Sequence, residues 1–579
     1  MAALPGLAVA QVGEPVQLLP QTTPGYETPP PAAPETGTGT GEPTAPQGFE
    51  IAPLDAIGTD YAGTLEPAAG GLGLDMWRGT DRINVERLLP ALKPTTSPVL
   101  TELTRRLLLS NAVAPAGRGS GKNLVPLRAS LLADMGLVEE AVGLLRLLPA
   151  DQRDADSGRL LAELSWRAGD PEGACAVVQE SLPRLPIDNF WQEAAIFCQL
   201  RAGQTDQAML GLDLLREQDR TDEIFFTLAD AVAGETKVEI PPLPVVTPLY
   251  LAMARAAGLP VPKIAVHEPP PLMLALIAES PEGDLESRLT MAETTAAAGV
   301  LSSKHLAALY TAEPEDPGTL DTALDLPDIG TTPATRAILY QAAVRAALPE
   351  QRASFIQKAL DADVSDPNYW ARLPLYLPLL ADIPATPQLS WLAEDAARHL
   401  FAGGQFERAN SWVSVVEQSQ LLDGPKMQLP NLQALQYIAG ASTAVPQLAE
   451  VGAQVDAGRP LAFLADGNSG GIERVRAIVD SLSAPNDESI IGGATSTLAP
   501  APAPAMPQQN VNLWLDLGDA AAKQRVGETV LLTIAGLNAT GLANAEPEWL
   551  SRSITSLRDV GLAQESRRLA IEAAIVNGL

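Results

Sequence analysis

LADMGLVEEA (residues 132–141), SWRAGDPEGA (residues 165–174) and LRAGQTDQA (residues 200–208) share one pattern. Gly136, Gly169 and Gly203 lie 33 and 34 residues apart, a period that signals stacked structural repeats. The flanks repeat with the glycines. Five positions on comes an alanine (Ala141, Ala174, Ala208), nine positions on an aliphatic residue (Leu145, Val178, Leu212), and seven positions back stand Ala129, Ala162 and Ile196. A fourth copy, FAGGQFERANSWVSVV (residues 401–416), places Gly404, Ala409 and Val413 at the same spacing, with Ala397 seven before.

The spacing predicts helical hairpins. A first helix ends at a glycine able to take the left-handed conformation, and a second begins one or two residues later. Alanine at the fifth position lets the two helices approach to the short end of the roughly 8–10 Å packing range, and the aliphatic residue four further on shares its face. One hairpin cannot bury that face alone, so neighbours must stack.

These turns resemble those of tetratricopeptide repeats, whose units are 34-residue helix-turn-helix hairpins. The form is degenerate. Pro186 stands where that family often ends its second helix, but Arg153 and Arg220 take the equivalent places, and the family's aromatic positions are mostly missing. The resemblance covers residues 124–218 and 391–418. It implies an α-solenoid with a binding surface lined by first helices.

Outward from the repeats, the 579-residue chain reads as all-α: 46% hydrophobic but only 4% aromatic, a composition suited to close-packed helices. Residues 1–70 mix Pro, Gly, Thr and Glu with no apolar period and are expected to form a disordered arm. Residues 71–483 are expected to be the solenoid. Residues 484–509, with the run LAPAPAPA, read as an Ala/Pro-rich spacer, and residues 510–579 as a short helical segment of three helices, the clearest at 547–560 and 562–577. Between the third and fourth copies the Pro-rich turns at 240–248 and 269–271 predict irregular hairpins, with amphipathic helices at 285–298, 333–347 and 352–362.

A net charge of -31 repels phosphate backbones and anionic lipid, so a nucleic-acid partner is not expected and a protein or peptide partner is. No run is long and apolar enough to span a bilayer. The start, MAALPGLAVAQ, ends in the small-x-small pattern Ala8-Val9-Ala10 like the tail of a secretory signal, without its basic region. Export to a periplasm-like space is expected if the true start lies upstream, and a cytoplasmic location otherwise.

Four constellations bear on chemistry. Residues 116–123, AGRGSGKN, carry the Gly-Lys pair of a phosphate loop but lack its first glycine and its hydroxyl, and read as an interhelical loop. Residues 467–471, GNSGG, match a nucleophile elbow around Ser469, yet His267, His305 and His399 all precede it, and a turn before a helix is the plainer reading. Asp395 and His399 stand one helical turn apart, a spacing for metal ligation, although a buried structural histidine is preferred. Cys175 and Cys198 fall on neighbouring helices. They are either two buried thiols, the plainer reading, or a disulfide in an oxidising compartment, provided their Cα atoms come within about 7 Å.

No cofactor and no metal is expected. The sequence points to a non-catalytic scaffold or adaptor that holds a protein, a peptide or an extended polymer, with the bacterial cell envelope as one setting. The alternatives are a cell-envelope hydrolase, since some lytic transglycosylases are similar in carrying a large helical superstructure, and a self-assembling structural subunit.

Overall fold

The computed structural model describes residues 62–446, apart from 187, 219–221, 235–239, 244, 261–267, 282, 362–363, 365 and 422–428, together with residues 470–483 and 508–579. Among these, the regular structure is helical; the extended pairings are two isolated bridges, Leu65 with Ser110 and Asp81 with Ala116. The expected disordered arm and Ala/Pro-rich spacer, the Ala8-Val9-Ala10 pattern, His267 and Ser469 lie outside the described residues, except at the edges noted below.

Among the described residues, twenty-five α-helices follow one another. The first group is α1 (Arg82–Leu88), α2 (Pro98–Leu109), α3 (Val125–Asp134), α4 (Val138–Leu145), α5 (Ala155–Arg167), α6 (Pro171–Ser181), α7 (Asn189–Arg201), α8 (Thr205–Glu217), α9 (Glu223–Val232) and α10 (Pro248–Ala256). The second is α11 (Pro271–Glu279), α12 (Leu285–Ala297), α13 (Ser303–Tyr310), α14 (Pro317–Asp321), α15 (Pro333–Arg345), α16 (Pro349–Leu360) and α17 (Pro367–Ala381). The third is α18 (Ala393–Ala402), α19 (Phe406–Leu421), α20 (Leu429–Ala439), α21 (Gly470–Ser483), α22 (Gln508–Ala522), α23 (Val526–Thr540), α24 (Pro547–Asp559) and α25 (Ala563–Val576).

The hairpins form at the glycines. Gly136, Gly169, Gly203 and Gly404 have φ of 74°, 76°, 72° and 71°, the left-handed region that a Cβ disfavours. Each turn closes with the amide after the glycine bonding back to a carbonyl five residues earlier: Leu137 to Leu132, Asp170 to Ser165, Gln204 to Gln199 and Gln405 to Leu400, at 2.8–2.9 Å. That bond satisfies one of the carbonyls a helix end leaves open. The next helices start on side-chain caps where the sequence supplies them. Asp170 accepts from the Gly173 amide at the head of α6, and Asp188 from the Phe190 amide at the head of α7.

The seams then pack as the spacing requires. Ala141, Ala174, Ala208 and Ala409 are fully buried, and so are Leu145, Val178, Leu212 and Val413 behind them. Successive pairs α3/α4, α5/α6, α7/α8, α11/α12, α15/α16 and α18/α19 lie side by side, and first helices also meet the next first helix, as α3 meets α5 and α7 meets α9.

Stacking is not only serial. α10 returns to α5, α12 packs on α17, and the α12–α13 turn lies on the α3–α4 turn, so close that a Cβ on Gly136 would sit 2.8 Å from the Val300 carbonyl. The last helix, α25, rests on α2, α18 and α20, while α23 covers α1 and α2. The C-terminal segment therefore holds four helices instead of three and is joined to the body by α21, α23 and α25. Its first helix opens at Gln508, two residues inside the expected spacer. At the other end, residues 62–70, assigned by composition to the arm, run beside α2: Leu65 N donates to Leu109 O at 3.0 Å and Asn111 N to Leu65 O at 3.0 Å. Arg128 secures that edge, its guanidinium donating to the carbonyls of Leu108, Ala62 and Ser110 at 2.7, 2.9 and 3.3 Å.

Candidate functional site

The phosphate-loop look-alike joins α2 to α3 and holds a carboxylate of its own. The Ser120 amide donates to Glu86 Oε2 at 2.8 Å, and Arg82, paired with Glu86 at 2.8 Å, donates to the Lys122 carbonyl. The Arg82 guanidinium and the Ser120 amide both hold the Glu86 carboxyl below its usual range. An internal anion thus takes the amide that a nucleotide phosphate would need.

Asp395 and His399 share α18 but serve different partners. Tyr369 Oη lies 2.8 Å from His399 Nδ1, and burial pushes the imidazole well below its ordinary pKa. The ring is neutral and shares a hydrogen bond with the Tyr369 hydroxyl. Asp395 instead accepts from Gln357 Nε2 at 3.1 Å. Among the described residues no group of three or more His, Cys, Asp and Glu is arranged to hold a metal.

Cys175 on α6 and Cys198 on α7 are joined as a disulfide, with Cα atoms 5.6 Å apart. The sequence favoured two buried thiols, and the bond overturns that reading. Antiparallel packing of α6 and α7 brings the two positions into bonding range.

The disulfide ties down α7, which also carries the feature that sequence reasoning did not isolate. α8 packs on α7 through Ala208, Leu212 and Leu215 but leaves Leu210 and Leu214 62% and 49% exposed. A groove of about 420 Å³ runs along this hairpin. Leu210 and Leu214 form one wall, and Gln192, Gln199, Gln207 and Gln218 supply its polar groups; among the described residues no ionisable side chain lines it. Gly211 forms part of the groove because α8 comes close to α7 there: a Cβ would meet Ile196 Cγ1 at 2.9 Å. Gln192 donates Nε2 to the Pro186 carbonyl at 2.6 Å while its Oε1 is buried without a partner.

The signal was present in the sequence. Met209, Leu210, Leu212, Leu214 and Leu215 are too many apolar residues for the one stripe that a second helix buries. The groove's chemistry is that of a surface for an extended or helical segment: apolar walls for side chains, and primary amides that donate to and accept from a backbone.

No family model, no curated protein and no solved structure matches the chain.

Proposed function

We propose that the chain is a degenerate tetratricopeptide-like scaffold that binds a protein or peptide partner without catalysis, in an oxidising compartment outside the cytoplasm. The observation that carries the reading is the α7/α8 groove, whose described lining is aliphatic and amide side chains without charge, in a chain of net charge -31. Such a groove suits a segment that presents aliphatic side chains between backbone amides, and the chain's overall negative charge favours a partner with basic flanks. The Cys175–Cys198 disulfide supports the compartment, since structural disulfides persist where thiols are not kept reduced. The Glu86-filled loop and the Tyr369-bound His399 support binding over chemistry, because both are engaged internally.

The test is substitution of Leu210→Asp and Leu214→Asp, both exposed enough to leave folding intact. Co-purification of the native partner should fall at least about tenfold, the effect of losing a central apolar anchor, while the melting temperature stays unchanged. Partner recovery unaltered by both substitutions would remove the groove from the account.

A further inference from the structure

The three groups of helices meet at the start of α2. Thr95, just ahead of the Ser97 cap, lies against the α12–α13 turn, so close that a Cβ on Gly299 would sit 2.6 Å from the Thr95 carbonyl. That carbonyl accepts the Thr101 hydroxyl at 3.0 Å, and the Thr95 hydroxyl accepts the Ser97 amide at 3.2 Å, which fixes the loop to the first turn of α2. The third group arrives through α25. Glu572 meets Val99 and Glu565 meets Arg106, so α25 crosses α2 in the opposite direction with one contact at each end.

Glu572 is 2% exposed, and among the described residues it makes no ion pair. The Val99 amide donates to its carboxyl at 3.2 Å, and the Ser97 hydroxyl, which takes the Leu100 amide at 3.2 Å, donates to it as well. Burial is the largest influence on the carboxyl and opposes its charge; the two donors and the field of Arg568, one turn back on α25, favour that charge and are outweighed. The carboxyl is raised to about 7 in consequence.

Other charges on the helices around α25 are paired elsewhere or face solvent. On α2, Arg106 pairs with Glu565 and Arg105 with Glu102 and Glu140. On α18, Arg398 pairs with Glu394 and Asp395, and His399, lowered to about 4 by burial, does not titrate near neutral pH. α20 has no Asp, Glu, Lys, Arg or His. Arg474 of α21 donates to the Ala545 carbonyl, Arg558 of α24 to the Ser481 carbonyl, and Arg567 of α25 to the Ala439 carbonyl, while Arg552 of α24 stacks on Trp514. The remaining charges of α21 and α24, Glu473, Arg476, Asp480, Glu548 and Asp559, are exposed.

We infer that the seat of α25 on the start of α2 is a pH-sensitive clasp, shut while Glu572 holds its proton and loosened once the carboxyl ionises, so that the surrounding pH sets how firmly the three groups of helices are joined. An ionised Glu572 in the shut clasp is a buried charge without a cation; opening lets water reach it and releases one proton. Because the shut carboxyl titrates near 7 and the open one near 4.5, the clasp is firmest below about pH 4.5 and weakens as the pH rises to about 7. The Arg106–Glu565 pair keeps its charges across that range and holds the far end, which confines the opening to the start of α2 and the turns of α25 that face it.

Hydrogen–deuterium exchange of the full oxidised chain at about pH 5.5 and about pH 8.5, each rate referred to that of an unstructured peptide at the same pH, reads the opening. Protection of residues 97–103 and 566–576 in the parent should fall about thirtyfold from the lower pH to the higher, the ratio set by the two carboxyl values. Glu572→Gln should keep its protection at both pH values, and α15 and α16 should keep theirs in both proteins. Glu572→Met, which fills the site without an ionisable group, replaces the Gln variant if that one does not fold. Unchanged protection in the parent, the same loss in the variant, or a loss shared by α15 and α16 would overturn the clasp.

Discussion

The carboxyl of Glu572, on the last helix, accepts the amide of Val99 at 3.2 Å in the first turn of α2, 473 residues earlier in the chain. Burial raises the Glu572 carboxyl to about 7, while the Ser97 side chain, the Val99 amide and Arg568 pull it back down. The carboxyl therefore keeps its proton in the folded chain at pH values where the unfolded chain, near 4.5, has lost it. Its stabilisation is complete below about pH 4.5 and fades as the pH climbs to about 7. Glu572→Gln should match the parent near pH 4.5 and exceed it at pH 8 by on the order of 3 kcal/mol. Denaturant titrations of both proteins at the two pH values check this; a gap that does not change with pH would contradict it.

Arg128 ties the edge of the body through three carbonyls. Arg128→Met should cost about 3 kcal/mol, the scale of removing a buried charge-assisted network, and should expose residues 62–70 to limited proteolysis. Arg128→Lys should recover only part of the loss, because an ammonium cannot reproduce the guanidinium fork. Full recovery would mean that charge alone, and not the three-way geometry, holds the segment.

Two glycines with nearly the same φ should respond differently to alanine. At Gly169 an added Cβ meets nothing within 4 Å, so Gly169→Ala should cost only the left-handed backbone, about 1 kcal/mol. At Gly136 the Cβ would also press on Val300 O at 2.8 Å and Ser302 N at 3.0 Å, both backbone atoms. Gly136→Ala should cost clearly more, and equal losses in thermal denaturation would argue against the contact between the two turns.

Opening the Cys175–Cys198 bond should lower stability by about 2–4 kcal/mol. The Cys175→Ser, Cys198→Ser double variant and the reduced parent should then melt together. A parent that shows two free thiols when purified under oxidising conditions would contradict both the bond and the compartment it supports.

The hairpins were legible because their signal is local. A glycine, an alanine five on and an aliphatic residue nine on fall within one turn and one helix, and those residues are the buried ones. The same register hides in the C-terminal segment, where an alanine search misses it. Gly561 precedes Ser566 and Ala570, and Gln524, left-handed at φ 56°, precedes Thr529 and Thr533, all buried. Small hydroxyl residues serve there in place of alanine. The docking of α25 on α2 was not legible, since the Glu572–Val99 contact depends on the whole intervening path. The groove was signalled but not placed: α8 carries more apolar residues than one stripe needs, yet Leu210 and Leu214 look like core residues until, among the described residues, no helix is found to cover them.

The most direct test of the account is a photo-crosslinking residue placed at Leu210 in the natively expressed chain, with Val344, 47% exposed on α15, as the control position. The scaffold account predicts a discrete adduct heavier than the 60.7 kDa chain from position 210 and none from 344. No adduct at 210, or equal adducts at both positions, would contradict partner binding in the groove, and an adduct at twice the chain's mass would replace it with self-assembly.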